Sequence, residues 1–143
     1  MIDRQDIVAA ARGWIGTPYR HQASLRGAGA DCLGLVRGVW RELRGGEPEP
    51  VPAYGPGHAE EGGESLAEAA RRHMGEVPGL AFAPGDLLLF RWRRHLPARH
   101  AGIASDPTHM IHAQEGARVT EVPLSSWWLR HLAFVFRFPG VDA

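Results

Sequence analysis

The sequence predicts an α+β fold in which N-terminal helices pack on a C-terminal antiparallel β-sheet of about five strands. Apolar residues recur at helical spacing in the first half of the chain, whereas short apolar runs separated by turn residues fill residues 86–138. The 143 residues are expected to form one domain, spanning residues 1–143, whose core needs no disulfide.

The first and third predicted helices have recognisable start and stop signals. Asp3 is a suitable N-cap for a first helix that ends at Gly16. The apolar face of this helix comprises Ile7, Ala10, Ala11 and Trp14. Ser65 and Glu68 have the spacing of a capping box, which starts a third helix that stops at Gly75.

The second predicted helix begins at the only cysteine of the chain and runs from Cys32 to Leu43. Asp31 is a good N-cap for it, and the glycines from Gly45 onward stop it. Its apolar stripe comprises Leu35, Val36, Val39, Trp40 and Leu43. The proline-rich residues 47–57 that follow predict a surface loop.

Short apolar runs in the second half of the chain predict the strands. They are "DLLLFRW", "RHAGIAS", "THMIHA", "ARVTEVP" and "LAFVFRF". Asp106-Pro107 and Glu115-Gly116 are turn-forming pairs between successive runs. Neighbouring strands with such short connections pair as antiparallel hairpins, so an antiparallel meander is expected.

The charge balance and the N-terminus exclude several function classes. Sixteen Lys and Arg residues offset sixteen Asp and Glu residues, so no nucleic-acid partner is expected. The first 16 residues include charges and no long apolar run, which predicts synthesis in the cytoplasm without a signal peptide or membrane insertion. A single cysteine excludes an internal disulfide and a cysteine-based zinc cluster, and no cofactor is expected.

Cys32 is the first candidate for a catalytic residue. At the start of a helix it would lie beside unpaired backbone N–H groups and the positive end of the helix dipole, which stabilise a thiolate. Leu35 and Val36, three and four positions later, belong to the apolar stripe, so Cys32 should point towards the sheet. The alternative is a small buried hydrophobic residue, which is the commonest state of a lone cysteine.

Two histidines in adjacent predicted strands could supply a base and its orienting partner. If His100 opposes His112, both imidazoles lie on one face of the hairpin. This face also carries Gly102 and Met110, whereas His109 lies on the other face. For each histidine the alternative is an imidazole without a catalytic role. The eight histidines include no H-E-x-x-H pattern, so no metal site is expected.

These motifs together resemble the NlpC-like family of cell-wall cysteine peptidases, which have a papain-like fold. The resemblance rests on four blocks in the same order, namely "ARGWIGTPYRHQASLRGAGADCLGLVRGVWREL", "APGDLLLF", "RHAGI" and "MIHAQEG". In the family, these blocks are the Tyr loop with the Cys helix, the Pro-Gly-Asp strand, the catalytic-His strand and the strand of a third polar residue. The resemblance therefore implies hydrolysis of an amide by a thiolate.

The resemblance also implies roles for individual residues. Cys32 resembles the nucleophile, His100 the general base, and His112 the polar residue that orients the base. Tyr19 resembles a tyrosine near the oxyanion site. Asp31 matches the family's acidic residue before the nucleophile, a position also explained as an N-cap.

The family's usual substrate is the peptidoglycan stem peptide, typically cut between γ-D-glutamate and diaminopimelate, and the resemblance implies the same here. Leu33 departs from the family pattern, because many relatives have serine directly after the cysteine. Any substrate contact of that serine is therefore in question for this chain. A cellular amidase or acyltransferase acting on other substrates with the same fold is a further possibility.

A finer resemblance is to the branch of the family found in phage tails and gene transfer agents. It rests on "GTPYRHQ", "LLLFR", the "WW" pair and the closing "FRFP". It implies incorporation into the tail of a phage-like particle, with tail hub or baseplate proteins as partners. Trp127, Trp128 and residues 47–57 are candidate docking surfaces, and closure of the core explains the tryptophans equally well. The alternative function is a structural tail-tip or baseplate component with little or no peptidase activity.

Overall fold

A six-stranded sheet with helices packed on it forms the centre of the fold in a computed structural model that describes residues 2–49 and 64–141. The helices are α1 (Arg4–Arg12), α2 (Cys32–Arg44), α3 (Ser65–His73) and α4 (Ser126–His131). The strands of the sheet are β3 (Gly75–Glu76), β4 (Leu87–Phe90), β5 (His100–Asp106), β6 (His109–His112), β7 (Thr120–Pro123) and β8 (Leu132–Arg137). A separate hairpin consists of β1 (Ser24–Leu25) and β2 (Gly29–Ala30).

The order of the strands in the sheet is β3-β8-β4-β5-β6-β7, and every neighbouring pair is antiparallel. The predicted α+β class is therefore confirmed, and β4 to β7 form the expected meander. The sheet has six strands instead of about five, because Gly75 and Glu76 pair with Arg137 and Phe136 at its edge. The last strand, β8, leaves the meander order: after the unpredicted helix α4 it returns beside β4.

The first two helices start where the sequence predicts. Asp3 caps α1 by accepting the N–H of Gln5 at 2.8 Å, but this helix ends at Arg12 instead of continuing to Gly16. A tight turn follows, in which Gly16 takes a φ of 94°, a value that favours glycine. The helix α2 begins at Cys32 as predicted and ends one residue later than expected.

The predicted capping box of α3 is wrong. Ser65 is the first helical residue, and the N-cap is Glu64, which makes no side-chain bond to its own helix. The Glu64 carboxylate instead accepts hydrogen bonds from Arg91 and from the N–H of Ala98, both at 2.9 Å. These bonds fix the segment that leads into β5. Long-range partners have therefore displaced the local cap that the spacing favoured.

The hydrophobic core has two parts, one on each face of the sheet. The larger part lies between the sheet and helices α1 and α2, and its fully buried residues include Trp14, Leu35, Val39, Ile103, Ile111 and Phe136. The smaller part lies on the other face and includes Leu88, Phe90, Ala104, Met110 and Val135. Burial of each large apolar side chain contributes roughly 1.5–3 kcal/mol, so both faces hold the strands in place.

The Pro-Gly-Asp segment ties the first helix to the sheet. The fully buried Asp86 accepts hydrogen bonds from Arg4 and from the N–H of Ala83, both at 2.9 Å. The N–H of Gly85 donates to the carbonyl of Ala104 at 2.7 Å, and its φ of 90° favours glycine. This segment is therefore structural. None of the helices in the described ranges is long and apolar enough to cross a membrane.

Candidate active site

Cys32 occupies the first turn of α2, and Asp31 joins this turn to the loop that precedes it. One carboxylate oxygen of Asp31 accepts the N–H of Gly34 at 2.7 Å, which is the predicted N-cap bond. The other oxygen accepts the N–H of Gln22, also at 2.7 Å. The Asp31 side chain is buried, and these charge-assisted bonds compensate its burial. The geometry supports the N-cap explanation of Asp31, which places Cys32 by fixing the start of the helix.

The loop before α2 passes so close to the helix that residue 34 has to be glycine. A Cβ atom on Gly34 would lie 1.8 Å from the carbonyl oxygen of Ala23. The hydroxyl of Ser24 donates to the carbonyl of Gly34 at 2.6 Å, and Arg41 donates to the carbonyl of Ser24 at 2.7 Å. The glycine two residues after Cys32 therefore lets this loop lie directly on the turn that carries the cysteine.

Tyr19 lies in the same loop, close to the cysteine. Its backbone N–H donates to the carbonyl of Ala117 at 3.0 Å, and it forms an isolated parallel bridge with Ala30. Burial raises the pKa of the Tyr19 hydroxyl to about 12, and the negative charges of Asp31 and of an ionised Cys32 add to this increase. The hydroxyl therefore stays protonated at neutral pH and is available as a donor to a nearby oxyanion.

The sulfur of Cys32 lies against β5 on both sides of His100. The thiol donates to the carbonyl of Arg99 at 3.9 Å, and the backbone N–H of Ala101 donates to the sulfur. The N–H groups of Cys32 and Leu33 at the start of α2 also favour the ionised sulfur. Several backbone donors therefore converge where a thiolate, or an oxyanion formed next to it, would carry negative charge.

The two predicted histidines form a hydrogen-bonded pair. Nε2 of His100 lies 2.8 Å from Nδ1 of His112, and the side chains are only 5% and 3% exposed. Because this bond occupies Nε2 of His100, its Nδ1 is the ring nitrogen left to act on another group. The pair thus has the arrangement of a base with an orienting partner.

The β5–β6 hairpin is shifted by two residues from the predicted pairing of His100 with His112. Ala104 pairs with Met110, so the same register places His112 opposite Gly102 and diagonal to His100. Asp106 pairs with His109 at the turn, and a bulge between Ala104 and Asp106 changes the register by one residue to the pairing of Ala104 with Met110. The imidazoles still share a face, because a register shift of two residues leaves each side chain on the same face of the sheet. The missing side chain of Gly102 leaves room for the two rings to meet across it.

Helices α1 and α2 pack on the opposite face of β5 from the imidazoles. Ala101 and Ile103 belong to the core beneath these helices, and in a strand their side chains point away from the face of His100. Cys32 therefore approaches His100 at the N-terminal end of β5, along the backbone, and not across the face of the sheet.

Burial keeps the reacting groups uncharged in the resting site. Burial, together with the charge of the neighbouring Asp31 carboxylate, raises the pKa of the Cys32 thiol to about 11. Burial also lowers the pKa of His100 to about 3, with repulsion by a charged His112 as the second cause, and lowers that of His112 to about 4. At neutral pH the cysteine is a thiol and both imidazoles are neutral, so ionisation of the sulfur needs a base in place.

The buried imidazoles predict a loss of stability in mild acid. The pKa values of His100 and His112 in the folded protein lie below the unfolded value near 6.5, so the unfolded state binds more protons below that pH. The contribution of the neutral, buried histidines to the free energy of unfolding is largely present above pH 6.5 and is lost as the pH falls towards 4. Between pH 7 and pH 5 we expect a loss of about 2 kcal/mol per histidine in the free energy of unfolding.

Urea titrations at pH 7 and pH 5 measure this loss, because few carboxylates titrate in that interval. The double variant His100→Asn/His112→Asn should show a much smaller difference between the two pH values. Equal differences in the wild type and the double variant would contradict the assignment of the loss to this pair.

Two tryptophans next to the histidines were not assigned to the site from the sequence. Trp92 and Trp128 stack on the ring of His100, with centroid distances of 5.3 and 5.5 Å. Trp128 is half-buried against the smaller core, which supports core closure, whereas Trp127 is 43% exposed. Trp127 stays a candidate for docking, and residues 50–57 of the predicted docking loop lie outside the described residues.

His109 and His73 contact carboxylates outside the site. His109 contacts Asp106 at 3.1 Å in the turn between β5 and β6, and His73 contacts Glu49 at 2.7 Å. Within residues 2–49 and 64–141, no three His, Cys, Asp or Glu side chains are grouped so that they could hold a metal ion.

The family follows from the match of the whole sequence. A profile of the NlpC/P60 family matches residues 16–137, a range that contains Cys32, His100 and His112. The chain belongs to the NlpC/P60 family. The family includes cysteine peptidases that act on peptidoglycan, and this chain contains the NlpC/P60 domain.

Solved structures show that the NlpC/P60 fold is shared. The NlpC/p60 domain of the peptidoglycan hydrolase SagA is 23% identical with a TM-score of 0.66, and the match covers 96% of this chain and 100% of that one. An NlpC/P60 family protein from Bacillus cereus is 18% identical with a TM-score of 0.68, and the match covers 94% of this chain and 40% of that one. NlpC1 from Trichomonas vaginalis is 17% identical with a TM-score of 0.65, and the match covers 92% of this chain and 42% of that one. The chain thus spans less than half of the last two proteins. No curated protein matches the sequence.

Proposed function

We propose that this NlpC/P60 domain hydrolyses an amide bond of the peptidoglycan stem peptide, with Cys32 as the nucleophile, His100 as the general base and His112 as its orienting partner. The observation that carries the proposal is the meeting of α2 and β5. There the sulfur of Cys32 lies against the backbone on both sides of His100, whose ring is held by His112. Family membership supplies the substrate class.

In the first half of the reaction, Nδ1 of His100 takes the proton of the Cys32 thiol as the sulfur attacks the amide carbonyl carbon. A C–S bond forms and the carbonyl π pair moves to the oxygen. When the tetrahedral intermediate collapses, the C–N bond breaks and His100 returns the proton to the leaving amine. A thioester of Cys32 and the acyl half of the substrate remains.

In the second half, His100 takes a proton from a water molecule that attacks the thioester carbonyl. The C–S bond breaks, the sulfur leaves as a thiolate, and the proton held by His100 restores the Cys32 thiol. The products are a carboxylic acid and the amine released in the first half. The imidazole therefore moves one proton in each half, and the role of His112 is to hold the ring for both transfers.

The oxyanion of each tetrahedral intermediate is expected to lie at the start of α2. The backbone N–H of Cys32 and the hydroxyl of Tyr19 are the donors that we assign to it. The raised pKa of Tyr19, about 12, keeps its proton available throughout the neutral range. This placement requires no charged residue, in keeping with a nucleophile at a helix N-terminus.

We infer that the scissile bond joins γ-D-glutamate to diaminopimelate, because this is the typical bond of the resembled family. Many relatives have serine where this chain has Leu33. Any contact of that serine with the stem peptide is missing here, so the preference among stem peptides has to be measured separately from the bond that is cut. Digestion of defined stem peptides, read by mass spectrometry with wild type beside Cys32→Ser, tests both points. The expected result is Cys32-dependent cleavage at this bond. Cleavage at another amide would overturn the bond assignment alone, whereas no Cys32-dependent cleavage would favour a structural role in a tail.

We also propose that the domain is synthesised in the cytoplasm and incorporated into the tail of a phage-like particle, docked to hub or baseplate proteins. The support is the resemblance of the "GTPYRHQ", "WW" and "FRFP" segments to the tail-associated branch, together with the exposed ring of Trp127. Mass spectrometry of purified particles from the encoding organism tests this placement. We expect the chain in stoichiometric amounts with tail proteins, and its absence from such particles would overturn the placement.

A further inference from the structure

Aromatic rings surround the imidazole of His100 on the face of the sheet opposite α1 and α2. Trp92 and Trp128 stack on it with interplanar angles of 29° and 26°, and Phe90 lies 6.1 Å away. Together with His112, these rings form the immediate surroundings of the His100 side chain. The residue proposed as the base is therefore positioned by aromatic contacts as well as by one hydrogen bond.

Trp128 is distinguished from the other rings because it contacts both imidazoles. Its ring stacks on His100 at a centroid distance of 5.5 Å and meets His112 edge-on at 5.2 Å and 84°. The indole is itself held by Phe90 at 4.9 Å and by its place in the smaller core. A ring fixed in this way constrains the orientation of both histidines at once.

The histidine pair has no acidic partner within the part of the chain that the structure describes. The hydrogen-bond partner of His100 is the neutral imidazole of His112, and neither ring bonds a carboxylate there. A carboxylate in this place would both orient the base and stabilise the imidazolium formed during the reaction. A neutral imidazole orients the base but brings no negative charge, so the groups around His100 contribute more to the stability of its imidazolium form than they would beside a carboxylate.

We propose that Trp128 is a positioning residue of the Cys32–His100–His112 site, which holds both imidazoles in their hydrogen-bonded orientation and stabilises the imidazolium form of His100 through its ring face. The indole ring is the best aromatic partner for a cation, and its centroid lies within the 6 Å range of that interaction. This inference rests on the proposed function, because it takes His100 as the group that receives the thiol proton.

The other charged or titratable groups near His100 lie in β6, in α2 with its preceding loop, and in the residues next to the site. His112 faces His100 from β6, and Cys32 lies along its backbone from α2. Asp31 and Tyr19 lie beside that cysteine, Arg99 directly precedes His100, and the charges of Arg99 and Glu115 both act on Tyr19. From β4, α4 and the segment after β4, the rings that face His100 are uncharged. Removal of the Trp128 indole therefore changes the stability of the imidazolium without removing a charge.

The single cysteine allows a test that needs no peptidoglycan. The rate of alkylation of Cys32 by iodoacetamide is measured at pH 7, where the sulfur needs the base, and at pH 10.5, where hydroxide begins to ionise it. The ratio of the two rates reports activation by His100, because a change in access to the sulfur alters both rates alike. The proteins are wild type, Trp128→Leu and Trp128→Phe, with Leu129→Ala as the matched exposed control on the same helix.

We expect Trp128→Leu to lower the ratio of the pH 7 rate to the pH 10.5 rate by about fivefold. Trp128→Phe keeps a smaller aromatic face and should lower the ratio by about twofold, and Leu129→Ala should leave it unchanged. If the ratio for Trp128→Leu equals the ratio for Leu129→Ala within error, the inference is overturned. If Trp128→Leu does not fold, a fall in the ratio for Trp128→Phe supports the inference and an unchanged ratio overturns it.

His100→Asn in the same assay separates this inference from the proposed function. If His100→Asn lowers the ratio and the Trp128 variants do not, only the role of Trp128 fails. If His100→Asn itself leaves the ratio unchanged, the proposed base fails, and the role of Trp128 fails with it.

Discussion

His100→Asn is expected to lower kcat for stem-peptide cleavage by about 10⁴-fold. Burial raises the pKa of the Cys32 thiol to about 11 with His100 in place, so at pH 7 the sulfur is protonated and loses its proton only as it attacks. An asparagine at position 100 keeps a polar side chain but cannot take the proton. General acid–base catalysis contributes about 10²–10⁴-fold, and His100 acts in both halves of the reaction, which places the expected loss at the upper end.

The controls for His100→Asn are other variants of the same site. Cys32→Ala should be at least as inactive as His100→Asn. The double variant Cys32→Ala/His100→Asn should be no less active than Cys32→Ala alone, because Cys32 and His100 act as one unit. His112→Asn should cost less, about 10²-fold, since it orients the base and does not react. Urea titration of each variant separates lost chemistry from lost folding. A His100→Asn enzyme within tenfold of wild type would contradict the assignment of the base.

Gly34→Ala is expected to destabilise the protein by about 3 kcal/mol or more. The new Cβ would lie 1.8 Å from the carbonyl oxygen of Ala23, which cannot move freely because it accepts the N–H of Asp31. The same Cβ would lie 3.1 Å from a carboxylate oxygen of Asp31, which accepts the N–H of residue 34. The substitution therefore disturbs both the loop and the N-cap that place Cys32.

The expected loss opposes intrinsic propensity, because alanine favours a helix over glycine by about 1 kcal/mol. The matched control is Gly46→Ala, where a Cβ meets no atom within 4 Å. We expect that variant to unfold within about 0.5 kcal/mol of wild type in urea. A Gly34→Ala protein as stable as the Gly46→Ala protein would show that the loop does not press on α2 as described.

Local and periodic signals account for what the sequence predicted about the site. Asp31 is an N-cap because of residue type and its position before Cys32, and the helix began where that signal placed it. His100 and His112 share a face because strands alternate with a period of two, which a shift of one pair does not change. The bulge at the end of β5 changes the register by one residue and so decides which residues of β5 and β6 share a face, and the sequence contains no separate signal for it.

Long-range contacts explain what the sequence did not predict. Ser65 has a capping-box spacing, but Glu64 bonds Arg91 and Ala98 from a distant segment, and the local motif does not form. The place of Trp128 against both histidines depends on α4 leading into β8, which returns to pair with β4, and this follows from the order of strands and not from nearby residues. The spacing of the "WW" pair alone could not reveal this contact.

The central claim is that His100 activates the sulfur of Cys32, and the pH dependence of Cys32 alkylation by iodoacetamide tests it most directly. For the wild type we predict alkylation at pH 7 in which His100 accepts the thiol proton as the sulfur attacks. For His100→Asn we predict a rate at pH 7 at least about 100-fold lower than that of the wild type, with the difference closing as the pH approaches 11, where hydroxide ionises the buried thiol. Superimposable profiles for the two proteins would contradict the claim, because the sulfur would then react without the imidazole.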